Sequence, residues 1–475
     1  MAKNYDLVIL GGGMGGYVSA IRASQLGLTV ALVEADLLGG TCLHRGCIPT
    51  KSLLKSAAIY QTVKNSSLFG IEVNQALINF SEVQGRKLTV VDQLHKGVKQ
   101  LIKKNKIDVF DGFGRLLGPS IFSPMSGTVS VEYKDDRENE MLIGKNVIVA
   151  TGTKARQIES MPFDGKFVLS SDQALTLEEL PESMLIVGGG VIGIEWASML
   201  SDFGVKVTVI EADQHILPSF DKDISRVMKK ELAKKGVDIL TEANIEGYEV
   251  IDQTHVKLNL TLQDNEAKQV TADSVLVSIG RQAFTNDLGL ENTSIELDDH
   301  GFIKVNQYYQ TKESHIYAVG DCIGGAQLAH VAAHEGKLAV EHIANTHEKL
   351  PQENFVISCV YSQPEIATVG LTEQEAKREG KDVQVAKMPF SAIGKAVIEG
   401  HTTGFVKIIS DRETEDIIGI HMMGSHVTDL ISEAGLAMVL NATAEEIGQT
   451  IHPHPSLSEA IQETALAIHA KQIHG

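Results

Sequence analysis

The chain has 475 residues, about three times the ~150 of a typical domain, so several hydrophobic cores are expected. Hydrophobic residues make up 43% and 43 glycines stand against 11 prolines, which excludes disordered, collagen-like and coiled-coil classes. Against 42 basic side chains there are 61 acidic ones, a formal net charge of −19, and such a surface repels nucleic acid and anionic lipid alike.

The N-terminal residues MAKNYDLVILGGG enter a strand within about five positions, and no apolar run reaches the roughly 18 to 20 residues that span a bilayer. Neither a signal or transit peptide nor a membrane partner is expected. Four cysteines are too few for a secreted disulfide framework, so a disulfide here is expected to be catalytic and the compartment cytoplasmic.

Apolar residues 7–10 run into Gly11, Gly12, Gly13 and Gly16, then a helical stretch to Gln25, then an apolar run 30–33 ending at Glu34. This pattern predicts a strand, a glycine turn, a helix and a second strand. In such a G-x-G-x-x-G turn the first glycine makes the bend, the second admits a pyrophosphate, and the third lets helix and strand touch. The helix N terminus adds unpaired N–H groups and positive dipole.

Next comes the stretch 39–51, GGTCLHRGCIPTK, in which Cys42 and Cys47 are five residues apart. On a regular helix that spacing separates the Cα atoms by roughly 8 to 9 Å, beyond the ~7 Å limit for a disulfide. A bonded pair therefore demands a distorted turn, with Gly46 as the pliable point and Pro49 in the first turn of a helix running through Lys51 to about Tyr60. Arg45, Lys51 and the helix N terminus are expected to lower a thiolate pKa. A redox pair, two inert thiols, and a zinc site recruiting His44 are the competing readings.

Shifting the frame by 177 residues brings the first unit back: Gly188, Gly190, Gly193 and Glu211 fall where Gly11, Gly13, Gly16 and Glu34 stood, each acid 18 residues after its last glycine. Each unit is followed by an alternating stretch and an apolar strand ending in glycine, 128–133 with 147–152 and 256–262 with 275–280. Two dinucleotide folds are predicted. A carboxylate at Glu34 or Glu211 accepts the ribose hydroxyls of adenosine and repels a 2′-phosphate, and no arginine follows Glu211 before Arg226, so the second nucleotide is expected to be NAD.

Beyond about Leu350 the pattern turns to antiparallel-looking strands at 405–409 and 417–422 with helices at 429–440 and 457–469, a separate α+β domain. In that segment prolines bracket His454, and Glu459 falls in the first turn of the last helix, where it can orient an imidazole. His452 reads as a surface or packing residue.

Together GGGMGG, GGTCLHRGCIPTK, VATG, GGGVIGIE, SIGR, TKESHIYAVGD and HPSLSE resemble the pyridine nucleotide-disulfide oxidoreductases over almost the whole chain, and within them the branch that oxidises protein-bound dihydrolipoamide with NAD. His44 stands where asparagine is most often expected. The resemblance implies an α/β fold: two Rossmann-like domains for FAD (1–152, with the redox segment 39–51) and NAD (153–275), a central domain (276–349) and a C-terminal α+β dimerisation domain (350–475). It assigns Gly11, Gly13, Gly16, Glu34, Thr151, Gly152 and Asp321 to FAD, and Gly188, Gly190, Gly193, Glu211 and Gly280 to the cofactor sites. Lys51 and Glu195 are implied as an ion pair near the flavin and the nicotinamide.

Carried over in the same way, Cys42 is the sulfur attacked by substrate, Cys47 the one that donates to flavin, and His454 with Glu459 the acid/base acting on the disulfide of the other subunit. The partners implied are a second copy of the chain, a lipoyl domain, and a small basic domain of an acyltransferase core. A glutathione-reductase-like enzyme, disfavoured by the acids after the second turn, and a non-catalytic flavin- or zinc-binding subunit are the alternatives. A mercuric reductase would need a further cysteine pair that the tail AIHAKQIHG lacks.

Overall fold

A computed structural model describes residues 2–119, 126–346 and 355–474. The chain divides into two compact units, Met1–Ser52 with Ser81–Arg156 and Gly280–Leu350, and Leu53–Phe80 with Gln157–Ile279 and Pro351–Gly475.

In the first unit the strand Lys3–Leu10 pairs in parallel with Val30–Glu34 on one side and Glu140–Val149 on the other. Leu7, Val8 and Ile9 are fully buried, which is why this strand reads as an unbroken apolar run rather than an alternating one. Among the described residues the sheet has seven strands: Asp108–Asp111 lies beyond Val30–Glu34, while Thr128–Glu132, Phe113–Leu117 and Ile316–Ala318 complete the other side. Helix Met14–Gln25 buries Gly15, Gly16, Ser19, Ala20 and Ala23. These small residues let helix Ala329–Ile343 close on it: a Cβ at Gly336 would stand 2.3 Å from Ser19 Oγ.

The second unit repeats the plan. Asp238–Leu240, Lys206–Ile210, Ser183–Val187, Ser274–Val277 and Val168–Ser170 form a parallel sheet, and the antiparallel Asn244–Ile251, His255–Thr261 and Ala267–Ala272 are inserted before Ser274–Val277. The same unit holds an antiparallel sheet in the order Ser358–Val360, Glu365–Gly370, Ile417–Gly424, Phe405–Asp411, Val383–Pro389. Helices Val427–Val439 and Glu459–Ile468 cover it through Ile431, Ala434, Ile461 and Ala465.

The change of pattern expected at Leu350 lies outside the described residues. Helix Phe80–Lys104 has no counterpart in the sequence reading, because Gly85, Gly97 and a long polar face dilute its apolar stripe of Val98 and Ile102. Strand Arg281–Ala283 pairs with Thr153–Ala155 in the first unit, so the first fold resumes directly after the second parallel sheet ends.

Ile186, at the centre of the second parallel sheet, is fully buried. Ile186→Ala is expected to lower stability by about 2–5 kcal/mol through lost burial and an unfilled cavity, read as a shift in the urea midpoint at constant slope. A loss under about 1 kcal/mol would show that neighbouring side chains close the gap.

Candidate active site

The two glycine turns are built alike. A Cβ at Gly16 would stand 1.7 Å from the Gly11 carbonyl oxygen, and one at Gly193 would stand 1.9 Å from that of Gly188, so only glycine lets each helix start this close to its strand. Gly13 and Gly190, the second glycines, face open space at the helix N termini: the nearest atom to a Cβ is 3.8 Å away at Gly13, and none lies within 4 Å at Gly190. Gly12 N–H donates to Glu34 Oε2 at 2.6 Å, and Gly189 N–H donates to Glu211 Oε2 at 2.5 Å. The other carboxylate oxygens accept from Asp36 N–H and Asp213 N–H, leaving each oxygen a lone pair for a ribose hydroxyl. Burial outweighs the backbone donors at Glu34 and raises its pKa.

From the first turn the chain passes straight to the cysteines. Gly39 N–H donates to the Gly12 carbonyl at 2.8 Å, and the Leu38 side chain covers Gly12. Helix Gly40–Arg45 stops at Gly46, whose φ of −142° and ψ of −111° are far from helical, and helix Cys47–Lys64 begins at once. The expected break is there, with Pro49 in the first turn. It brings the thiols of Cys42 and Cys47 into hydrogen-bonding contact. No disulfide joins the two in this structure.

The expected acidification is not found at Cys42. Its pKa is raised, first by the hydrogen bond to Cys47, then by burial and by the charge on Cys47; Lys51 offsets only part of this. Two interacting thiols lose their protons in two steps, and the second proton is the harder to remove. Arg45 is spent elsewhere, on Asp36 at 2.7 Å. His44, weighed above as a zinc ligand, donates to the Leu38 carbonyl at 2.9 Å and meets His95 edge-on at 4.8 Å. Among the described residues no group of three or more His, Cys, Asp or Glu side chains converges as a metal would require.

At the end of strand Glu140–Val149, Thr151 Oγ1 donates to the Phe284 carbonyl at 2.8 Å, and Gly152, in the left-handed region, accepts from Phe284 N–H at 2.9 Å. Asp321 Oδ2 accepts from Thr153 Oγ1 at 2.9 Å, and Arg281 clasps the hydroxyl and the carbonyl of Thr153 at 2.7 and 2.9 Å. Sequence reasoning missed Thr153 and the role of Arg281, although Arg281 closes the SIGR motif. It also missed Glu335, whose Oε2 accepts from Gly320 N–H at 2.7 Å. Burial, with Asp321 nearby, pushes the Glu335 carboxyl up to about 7.

In the second unit Glu195 is 3% exposed and accepts from Tyr361 N–H at 2.9 Å; one turn on, Ser198 Oγ accepts from Gln363 N–H at 2.9 Å. Lys51 belongs to the first unit, one turn past Cys47, and Gly280 begins that unit's last segment with φ +104°. His454 Nδ1 bonds Glu459 Oε1 at 2.8 Å with its side chain 79% exposed, and Glu459 Oε2 accepts from Ser456 N–H at 2.8 Å. Burial raises the Glu459 pKa, but Ser456 N–H and His454 outweigh it and the net shift is downward. His452 is instead a packing residue, its side chain 4% exposed and bonded to Glu433 at 2.8 Å.

A model of the pyridine nucleotide-disulphide oxidoreductases matches residues 5–336, and one of their dimerisation domain matches residues 356–465. The chain belongs to this family. The oxidoreductase is 57% identical to a dihydrolipoyl dehydrogenase of Bacillus subtilis and 39% identical to one of Zymomonas mobilis, over 100% of both chains in each case. Among solved structures it is similar to LpdA from Mycobacterium tuberculosis, with a TM-score of 0.89 at 27% identity over 97% of this chain and 99% of that one. It is also similar to a Cu(II) complex of the HOCl-induced flavoprotein disulfide reductase RclA from Escherichia coli, with a TM-score of 0.86 at 28% identity over 98% and 99%.

FAD and NAD are the cofactors of the oxidoreductase, and its dimerisation domain makes it a homodimer. The residues fit two dinucleotides: each turn keeps its second glycine clear at a helix N terminus, where a pyrophosphate would lie, and each anchored carboxylate retains acceptor capacity for a ribose.

Cys47→Ser removes the hydrogen-bonding, ionisable sulfur that holds the Cys42 proton. The pH midpoint for alkylation of Cys42 by iodoacetamide in the reduced protein, followed by peptide mass spectrometry, is expected to drop by about one unit or more. An unchanged midpoint would assign the raised pKa to burial instead.

Proposed function

We propose that this oxidoreductase is a dihydrolipoyl dehydrogenase, which oxidises protein-bound dihydrolipoamide to lipoamide and reduces NAD to NADH. The observation that carries the reading is the adjacent Cys42–Cys47 pair, set by a broken helix directly against the first dinucleotide turn. The 57% identity to a dihydrolipoyl dehydrogenase over the whole chain supports it.

In the reaction His454, its Nδ1 fixed by Glu459, accepts a thiol proton of the substrate at Nε2. The substrate thiolate attacks Cys42 Sγ of the disulfide, the S–S bond breaks, and Cys47 leaves as a thiolate. The second substrate thiol, deprotonated in turn, attacks the mixed disulfide at the substrate sulfur, and this frees lipoamide and Cys42. FAD, when bound, would supply the two-electron acceptor for the dithiol and, once reduced, the hydride donor to NAD. Asp321, held by Thr153, and Thr151 with Gly152 position the flavin, with Lys51 beside it; Glu195 and Glu211 serve the nicotinamide and adenosine ends of NAD.

In this reading residues 1–152 with 276–349 form the FAD side, 153–275 the NAD domain and 350–475 the interface, across which His454 of one subunit serves the cysteines of the other. The acidic surface suits docking to a small basic domain of an acyltransferase core in a 2-oxo acid dehydrogenase or glycine cleavage complex, whose lipoyl domain is the substrate. Four cysteines, too few for a secreted disulfide framework, accord with the cytoplasm. No helix among the described residues is long and apolar enough to cross a membrane.

Anaerobic titration of the purified protein tests the activity: dihydrolipoamide is expected to bleach the flavin spectrum and NAD to restore it. His454→Gln is expected to slow the dihydrolipoamide half-reaction by about 10²-fold or more while NADH oxidation by artificial acceptors persists. Equal losses in both would mark a structural histidine.

Affinity for the basic docking domain is expected to fall as salt rises from about 0.05 to 0.5 M, because screening shortens the reach of the acidic surface. Calorimetry showing a constant affinity would remove the electrostatic docking.

A further inference from the structure

The most deeply buried cation of the second unit lies outside the catalytic site. Lys407, on strand Phe405–Asp411 of the dimerisation sheet, is 1% exposed. Its Nζ lies 2.9 Å from Asp221 Oδ2, 3.3 Å from Asp223 Oδ2 and 2.7 Å from Glu373 Oε2. A desolvated ammonium is tolerated only with its donors filled, and here three carboxylates fill them. Burial lowers its pKa, but Glu373 and Asp221 outweigh this and the net shift is upward.

Asp221 is itself buried and caps helix Lys222–Lys234 by accepting from Asp223 N–H at 2.9 Å. From there the contacts lead to the second glycine turn. Ser225 N–H donates to the Asp221 carbonyl at 3.1 Å, and its hydroxyl donates to the Ile216 carbonyl at 2.6 Å. Leu217 N–H donates to the Gly189 carbonyl at 2.8 Å, while Ile216 presses on Gly189 so closely that a Cβ there would stand 2.9 Å from it. Leu217 holds a left-handed φ of +51°, a conformation that a leucine keeps only when its surroundings impose it.

The first copy uses the same backbone bond, Gly39 N–H to the Gly12 carbonyl, and there the loop leads on to the cysteine helix. In the second copy the equivalent loop leads to Asp221 and Lys407. We propose that Lys407 is a positioning residue for NAD: from the dimerisation sheet it clamps the 213–221 loop, which fixes Gly189 and the Glu211 carboxylate in the geometry that binds the adenosine half of the nucleotide. The inference rests on the second turn being the NAD site.

The test uses the FAD-loaded dimer carrying Lys407→Met or Glu373→Gln. Lys407→Met is expected to raise both KM for NAD and the dissociation constant of ADP-ribose about tenfold, leaving kcat within about twofold, since the loss is in ground-state binding. The dihydrolipoamide half-reaction stays as in the parent. Glu373→Gln leaves Asp221 and Asp223 on the ammonium and is expected to give a rise of about two- to threefold in the same two constants.

If Lys407→Met does not fold, Glu373→Gln decides. A lowered melting temperature with KM for NAD and ADP-ribose affinity unchanged would overturn the proposal and leave the cluster a purely structural clasp. Gly190→Val separates the two layers: if it too leaves ADP-ribose affinity unchanged, it is the assignment of the turn that fails.

Discussion

Everything this chain does rests on how closely a helix can begin at the end of a strand. At Gly16 and Gly193 the helix backbone sits against the carbonyls of Gly11 and Gly188, leaving no room for a side chain, and the first helical N–H groups point into the space that the second glycines keep clear. A phosphate there meets fixed donors and a positive helix end, so little binding energy goes into ordering the site. The carboxylates of Glu34 and Glu211 fasten the turn from the side through Gly12 and Gly189 N–H. One carboxylate thereby holds the phosphate loop and presents acceptors to the ribose.

The duplicated turn is put to two uses by the loop that leaves each acid. In the first copy that loop bonds back to Gly12 and runs into the cysteine helix, so the reactive sulfurs are located by the same backbone that holds the first dinucleotide. In the second copy the equivalent loop bonds back to Gly189 and runs into the Asp221–Lys407 cluster, which belongs in part to the dimerisation sheet. Helix Val191–Phe203 makes a further link of the same kind, since Glu195 and Ser198 accept from the backbone of 361–363.

The thiol pair shows why local charge counting is insufficient. Arg45, Lys51 and a helix N terminus all lie near in sequence and all favour a thiolate, yet Cys42 holds its proton more tightly than an ordinary thiol because the hydrogen bond to Cys47 and burial outweigh Lys51. Arg45 turns to Asp36, a partner nine residues back that no helical spacing would suggest. Buried neighbours act through a low dielectric, whereas a half-exposed arginine is screened.

The sequence by itself determined both glycine turns, the acids that come after them, the helix break at Gly46 and the pairing of His454 with Glu459, because each depends on residues close in the chain and on steric rules that tolerate few substitutes. It did not disclose helix Phe80–Lys104, whose glycines and polar face blur its period. Nor did it disclose the contacts that join Thr153, Arg281 and Asp321, or the burial that raises Glu335, or the three carboxylates around Lys407. Those depend on segments 15 to 186 residues apart meeting in a water-poor interior. Only the tertiary structure decides which charges lose their water there, and so which acids hold their protons more tightly and which lysine is clamped.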